Sequence, residues 1–339
     1  MNWLLAQFLV RPTYPTGSYT GKTIIVTGSN TGLGKEAARH YARLGAGQII
    51  LAVRDLDKGH DAKHDIEHTT QCSNGVIQVW RLDMASYASV RSFTTRVHKE
   101  LDRVDIVLAN AGLASAKHAV AEGNELLFTV NCLSTLLLSG LIVPKLKDTA
   151  ARFNVRPVIC ITGSVAHNFT QFSEKTVPLG GIFDALNQRA SADESQAARE
   201  DLYSISKLLP VFAVRAIAEH CPSSKFPVTI NIADPGLCWS HLARDFSGGI
   251  GAWVFMSFLA RSTEVGSRTL VHGGGQGVES HGKYLSGCQI AEPSLIVTGP
   301  GGKELQERVW AEIVEKLEAI RPGVTSNFTT IKAVPIAVE

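Results

Sequence analysis

From Lys22 to about Pro235, short β-branched runs alternate with longer amphipathic stretches. The apolar runs are Thr23 to Val26, Ile49 to Val53, Val76 to Trp80, Val104 to Leu108, Pro157 to Ile161 and Val228 to Ile232. Each is nearly continuous in hydrophobicity, which suits strands covered on both faces; a half-exposed strand would alternate. The rhythm predicts repeated βα units and an α/β fold: a Rossmann-like, doubly wound parallel sheet of six strands. Ser191-Ala192-Asp193-Glu194 reads as a capping box opening a long helix through about His220. Further on, the pattern predicts a helix near Glu264 to Val271, a short strand around Tyr284 and a final helix from about Lys303 to Ile320.

No Pro/Ser-rich linker divides the 339 residues, so a single domain is expected over residues 21–320. An N-terminal arm (1–20) precedes it and a tail (321–339) follows. Residues 168–198, rich in small and polar side chains, read as an insertion before the long helix. Residues 239–262, carrying Trp239, Phe246, Trp253, Phe255, Met256 and Phe258 among glycines, read either as a substrate lid or as a buried helix of the fold.

A hydrophobic content of 45% is ample for a packed core, and the formal charge of +2 comes from scattered basic residues. That distribution argues against a nucleic-acid partner. The six cysteines form no CxxC pair and have no histidine at metal-ligand spacing, so neither a metal site nor a disulfide framework is expected. Met1 to Val10 is apolar but lacks a basic flank and is far shorter than the roughly 20 residues that span a bilayer. The expectation is a cytoplasmic protein whose arm packs on the body, with membrane contact as the alternative.

Thr27-Gly28-Ser29-Asn30-Thr31-Gly32-Leu33-Gly34 follows the first strand and opens a helix at Lys35. Glycines there allow positive φ and close approach of a pyrophosphate, and the helix N-terminus offers unpaired N–H groups. The spacing is GxxxGxG, which differs from the GxGxxG fingerprint. By itself a Gly-rich turn can be no more than a tight strand-to-helix connection. Arg54 ends the second strand, where a dinucleotide fold meets the adenosine ribose. A basic side chain at that tip pairs with the 2′-phosphate of NADP, whereas an acidic one accepts from the 2′-hydroxyl of NAD, so NADP(H) is the expected cofactor. Lys35 either joins the same positive pocket or faces solvent, and Asp55 next to Arg54 could bring a carboxylate to the ribose.

Tyr203 and Lys207 stand four residues apart on one helix, on the same face. A tyrosine near its ordinary pKa of about 10 is a poor acid/base at neutral pH, and a neighbouring ammonium favours its phenolate. The YxxxK spacing alone occurs in many helices. Here it comes after the Gly-rich loop, Asp83, Asn110-Ala111-Gly112, Asn131 and Ser164, in that order. The ordered set resembles the short-chain dehydrogenase/reductase family over about Lys22 to Ser240 and much of the C-terminal part. Ser164-Val165-Ala166-His167 and Ser280-His281-Gly282-Lys283-Tyr284 most resemble its retinol-dehydrogenase-like group, particularly fungal members of secondary metabolism.

The resemblance implies a catalytic set of Asn131, Ser164, Tyr203 and Lys207, in which Ser164 polarises a carbonyl and Asn131 joins a proton relay. It implies cofactor contacts at Gly28, Asn30, Thr31, Gly32, Leu33, Gly34, Lys35, Arg54, Asp83, Met84, Asn110, Ala111 and Gly112. Further contacts fall on Pro235, Gly236, Leu237 and Ser240, with Ser240 in place of the family's threonine. The implied substrate is a small apolar carbonyl or alcohol, and a homodimer through the helices carrying Asn131 and Tyr203 is possible, although the insertion and extensions could block or replace that interface. Ser164 and Tyr203 are 39 positions apart, wider than in the shortest members, which puts the pocket rim in question. His167 reads as a substrate contact or a structural loop histidine. Competing functions are a membrane-attached retinoid or sterol dehydrogenase and a non-redox, cofactor-binding pseudoenzyme or pericyclase.

Overall fold

The structure is a computed structural model that describes residue 7, residues 10–239 and residues 260–328. Ser240, residues 240–259 of the expected lid, most of the arm through residue 9 and the tail from residue 329 lie outside the described residues.

The chain alternates β1 (Thr23–Thr27), α1 (Gly32–Arg43), β2 (Gln48–Val53), α2 (Leu56–Thr70), β3 (Ile77–Arg81), α3 (Tyr87–Glu100) and β4 (Ile106–Ala109). It continues through α4 (Thr135–Phe153), β5 (Val158–Thr162), α5 (Ile182–Ala192), α6 (Gln196–His220) and β6 (Thr229–Asp234). After the undescribed stretch come α7 (Thr263–Gly274), β7 (Tyr284–Ser286), β8 (Gln289–Ala291) and α8 (Gly302–Ile320). The sheet order is β8-β7-β6-β5-β4-β1-β2-β3, parallel throughout except for β8, which runs antiparallel to β7. The fold is the expected Rossmann-like α/β sheet, and all six expected strands sit within two residues of their predicted bounds. The sheet gains β8 as an edge strand the pattern did not announce.

Alternate residues of a strand face opposite sides of the sheet. Ile25 and Val107 accordingly pack with α3, α4 and α6, whereas Ile24, Val26 and Ile106 pack with α1 and α7. The run Leu126–Phe153 is apolar and long enough to cross a membrane, yet it lies almost wholly buried within the fold as the central helix on one face. After its first α-helical turn, Leu126–Phe128, it passes through a π-helical turn over Thr129–Ser134, an irregularity that often marks a functional position. Val324 and Phe328, near the end of the described chain, close on Gly140 of α4, and α8 packs on α6. Part of the helices carrying Asn131 and Tyr203 is thereby covered by the chain's own C-terminal part.

The capping box at Ser191 is not observed. Ser191 lies near the end of α5, a separate helix inside the expected insertion, and the long helix α6 is capped by Ser195, whose hydroxyl accepts from the backbone N–H of Ala198. Asp193 stops α5 in an extended conformation and accepts from the N–H of Ser195 at 2.8 Å. Ser195, four residues beyond the expected start, is the residue that satisfies the donors of α6.

Candidate functional site

The order reversal between β1 and β4 opens a crevice at the carboxyl ends of the strands, where this architecture receives ligands. A cavity of about 1130 Å³ fills it and extends from Arg54 to Ser204. Gly28 and Gly32 both have positive φ, +64° and +61°. A Cβ on Gly28 would come within 2.9 Å of the Ala111 Cα, so that turn closes only with glycine. A Cβ on Gly32 would meet nothing within 4 Å: its surface faces the cavity. Thr31 caps α1 with no side-chain hydrogen bond, and the first turn carries no acidic residue, so the helix start remains available to an anion. Gly34 serves packing instead, pressed against Asn110 and the Gly28 carbonyl.

The Gly-rich turn is held from the side by β4. Asn110 Nδ2 donates to the Thr27 carbonyl at 2.9 Å and the Gly28 carbonyl at 3.3 Å, and the Ala111 N–H donates to Thr27 Oγ1 at 2.8 Å. At the far end of β2, Arg54 is exposed on the cavity wall beside Lys58. Asp55 is already engaged: its carboxylate caps α2 by accepting from the Lys58 N–H at 3.2 Å, with the Lys58 ammonium at 3.4 Å. The wall is therefore basic at the ribose end. Lys35 does not reach it, because its ammonium pairs with Asp65 at 2.8 Å and it is absent from the cavity lining. Asp83 and Met84 line the cavity beyond β3, where the Asp83 carboxylate accepts from the Ala85 N–H at 3.0 Å.

At the opposite end the structure brings Ser164, Tyr203 and Lys207 together on one wall. The Ser164 side chain hydrogen-bonds Tyr203, and its oxygen also accepts from the Ala166 N–H at 3.1 Å. Lys207 Nζ donates to the Thr162 carbonyl at 3.1 Å. Asn131 stands behind the wall on the π-helical turn. Its Nδ2 donates to the Leu113 carbonyl and to Ser206 Oγ, both at 2.9 Å, while its Oδ1 accepts from the Leu113 N–H. A Cβ on Gly112 would stand 3.1 Å from Asn131 Oδ1 and 3.3 Å from Lys207 Nζ, so the glycine lets those two side chains close on its backbone. Pro235, Gly236 and Leu237 complete the lining on the β6 side.

Burial pushes the Tyr203 hydroxyl up to about 12, with the Ser164 hydrogen bond working the other way. It pulls the Lys207 ammonium down to about 8, against the attraction of Asp234. In the free protein, then, the pair at neutral pH is a protonated phenol beside a cation that discharges in mildly basic solution. Ligand contacts that need the Lys207 ammonium should weaken as pH rises through about 8, while the phenol stays protonated. The expected result is that kcat/KM for NADPH, which reports the free enzyme, falls above that pH. A profile flat from pH 7 to 10 would contradict it.

His167 is structural. It is wholly buried, its Nδ1 bonds the Ser164 carbonyl at 2.7 Å, and its Nε2 accepts from the Ser294 N–H at 3.1 Å. The sequence reading missed a second group. Arg199, one turn before Tyr203, and Glu125 are both fully buried and paired at 2.8 Å, and Arg199 Nε donates to the Ser115 carbonyl. The insertion reaches the same spot, since Asn187 of α5 accepts from the Glu125 N–H at 2.8 Å.

The family model for short chain dehydrogenases matches residues 22–170. The chain is 58% identical to a short chain dehydrogenase/reductase of Cryptosporiopsis sp. over 97% of its own length and all of that protein. It is 38% identical to a short-chain dehydrogenase of Penicillium roqueforti, covering 96% of this chain and 84% of that one. Among solved structures, the Pseudomonas aeruginosa RhlG/NADP active-site complex superposes with a TM-score of 0.60 at 21% identity, covering 81% of this chain and 97% of that one. The 3-ketoacyl-(acyl-carrier-protein) reductase from Brucella melitensis complexed with NADH gives 0.58 at 17%, over 79% and 97%.

Proposed function

Since the chain belongs to the short-chain dehydrogenase/reductase family of oxidoreductases, we propose that it is an NADP(H)-dependent ketoreductase acting on an apolar secondary-metabolite intermediate. The observation that carries this reading is the Ser164–Tyr203 hydrogen bond beside Lys207, in the same cavity as an unspent helix N-terminus and Arg54. The cavity fits the cofactor: Gly32 leaves room at the helix start, and Arg54 provides charge for a 2′-phosphate.

When bound, NADPH supplies the hydride. Tyr203 donates the proton to the substrate oxygen, and Ser164 holds that oxygen by a hydrogen bond. Lys207 would hold the nicotinamide ribose, and its charge favours the phenolate once the proton has left. Asn131 keeps the Leu113 backbone and Ser206 in place behind them, at the start of the proton relay. Gly28 to Leu33 would seat the pyrophosphate, with Asp83, Met84 and Asn110 to Gly112 lining the rest of the cofactor's site. Leu113, Ala114, Leu126, Val130, Ala166 and Phe169 give the substrate end an apolar wall, which suits a hydrophobic ketone better than a sugar.

The test is steady NADPH consumption with a panel of apolar ketones and aldehydes. Cofactor binding without turnover across the panel would favour a non-redox role. Cofactor choice is tested separately. Arg54→Asp should raise the KM for NADPH about 10- to 100-fold, the worth of a charge-assisted phosphate contact, and should improve use of NADH. Unchanged discrimination between the two cofactors would remove Arg54 from the 2′-phosphate site.

A further inference from the structure

β5 and β6 pair in register up to Thr162 and Ala233, and one more backbone bond runs from the Gly163 N–H to the Ala233 carbonyl at 2.8 Å. Beyond that point the chains diverge into two turns that both line the cavity, Ser164–Val165 and Pro235–Leu237. Asp234 sits where the ladder stops. Its side chain is buried, 3% exposed, and a single oxygen, Oδ1, accepts from the Val165 N–H at 3.2 Å and the Gly236 N–H at 2.9 Å. The other oxygen accepts from Ser286 Oγ at 3.1 Å, and the Tyr284 hydroxyl is also hydrogen-bonded to the carboxylate. Among the described residues, no lysine, arginine or histidine is in ion-pair contact with it; the Lys207 ammonium feels its charge from further off.

We infer that Asp234 is a positioning residue: its carboxylate fixes the turn bearing Ser164 against the turn bearing Gly236, and so sets the distance between the carbonyl-binding hydroxyl and the cofactor side of the cavity. The inference rests on the ketoreductase reading given above. Four donors from three separate segments converge on one buried anion, which is more than a solvent-capped strand end requires. Burying a carboxylate without a cation is costly unless its lone pairs are filled, and here the filling donors are the two cavity turns and their support, β7. Gly236 has a φ of +76°, so its N–H is presented by a turn that only glycine adopts freely. Asp234 itself is absent from the lining; it acts through Ser164 and Gly236.

Asp234→Asn keeps the shape and one acceptor oxygen but removes the charge that strengthens both backbone bonds, and it aims an N–H group where the Ser286 hydroxyl now donates. The expected result is a fall in kcat for carbonyl reduction of about tenfold, with thermal stability retained. The discriminating measurement is a double-variant cycle with Ser164→Ala. If Asp234 acts through Ser164, the double variant is no slower than about twofold below Ser164→Ala alone, because coupled sites are not additive. A purely structural aspartate would give losses that multiply, and that outcome, or an unchanged kcat in Asp234→Asn, overturns the inference. Should Asp234→Asn fail to fold, Ser286→Ala withdraws support from the carboxylate more gently, and the same cycle with Ser164→Ala decides. If the wild-type protein turns over no carbonyl, the ketoreductase reading falls by itself. NADPH affinity then reports the Gly236 arm: a loss of about threefold or more in Asp234→Asn supports the clamp, and unchanged affinity refutes it.

Discussion

Replacing Tyr203 by Phe is expected to lower kcat for carbonyl reduction by about a thousandfold, within the range a positioned general acid contributes, while leaving NADPH affinity nearly unchanged. The substitution removes one oxygen. The ring remains half-buried against the core on one side and the cavity on the other. Ser164 loses its partner but stays in place, because its oxygen also caps the following 3-10 turn through the Ala166 N–H and its carbonyl is held by His167. Lys207 is likewise anchored on the Thr162 carbonyl without help from Tyr203. The geometry for binding therefore survives and the proton source does not. Single-turnover rates with NADPH in excess, together with a fluorescence titration of the cofactor, separate the two. A variant retaining more than about a tenth of the wild-type rate would place the proton elsewhere.

The parts of this site that were legible in the sequence are those tied to strand ends. Each apolar run is followed by a residue that enters the cavity: Gly28 after β1, Arg54 after β2, Asp83 after β3, Asn110 after β4, Ser164 after β5 and Pro235 after β6. A buried parallel strand announces itself by continuous hydrophobicity, so the residue just beyond it is placed with little error. Residues whose roles depend on who faces them were not legible. Lys35 carries the right charge at the right spacing, but Asp65 on α2 takes it, and no local pattern places that aspartate. Ser191 and Ser195 offer competing helix starts, and the choice is made by which one leaves a helix, α5, able to bury Ile182, Phe183 and Leu186. Asp234 and Glu125 carry little local signal: each is a single acidic residue, and although Asp234 also bonds Gly236 and Glu125 also bonds His118, the partners that fix their roles, Val165 and Ser286 for Asp234 and Arg199 for Glu125, lie dozens of residues away. Arg199 could have been found, because it precedes Tyr203 by the same four residues that separate Tyr203 from Lys207. Its burial, at zero exposure, depends on Glu125, which is held by an antiparallel pairing of Val120–Ala121 with Asn124–Glu125 that the sequence does not display.

That burial sets up the largest expected effect on stability. Replacing Glu125 by Leu should destabilise the protein by about 3–5 kcal/mol, because it strands the Arg199 guanidinium without a counter-charge in a dry site. Arg199 has no slack to absorb the loss. Its NH1 already has no hydrogen-bond partner, its Nε is committed to the Ser115 carbonyl and its NH2 to Glu125. Glu125 also bonds His118 and receives Asn187 from α5 at its backbone, so the pair joins the catalytic helix, the cavity-side loop and the segment between Ser164 and Tyr203. The asymmetry of buried ion pairs supplies the control. Removing both charges with Glu125→Leu and Arg199→Met should recover most of the stability, since the cost lies in the unpaired charge and the pair itself gives little net gain. Urea midpoints measure both, with an unchanged m-value showing that the native and unfolded states stay comparable. A Glu125→Leu variant weakened by less than about 1 kcal/mol would mean that water or a rearranged loop reaches Arg199, and the clamp on α6 would then be far looser than the buried geometry requires.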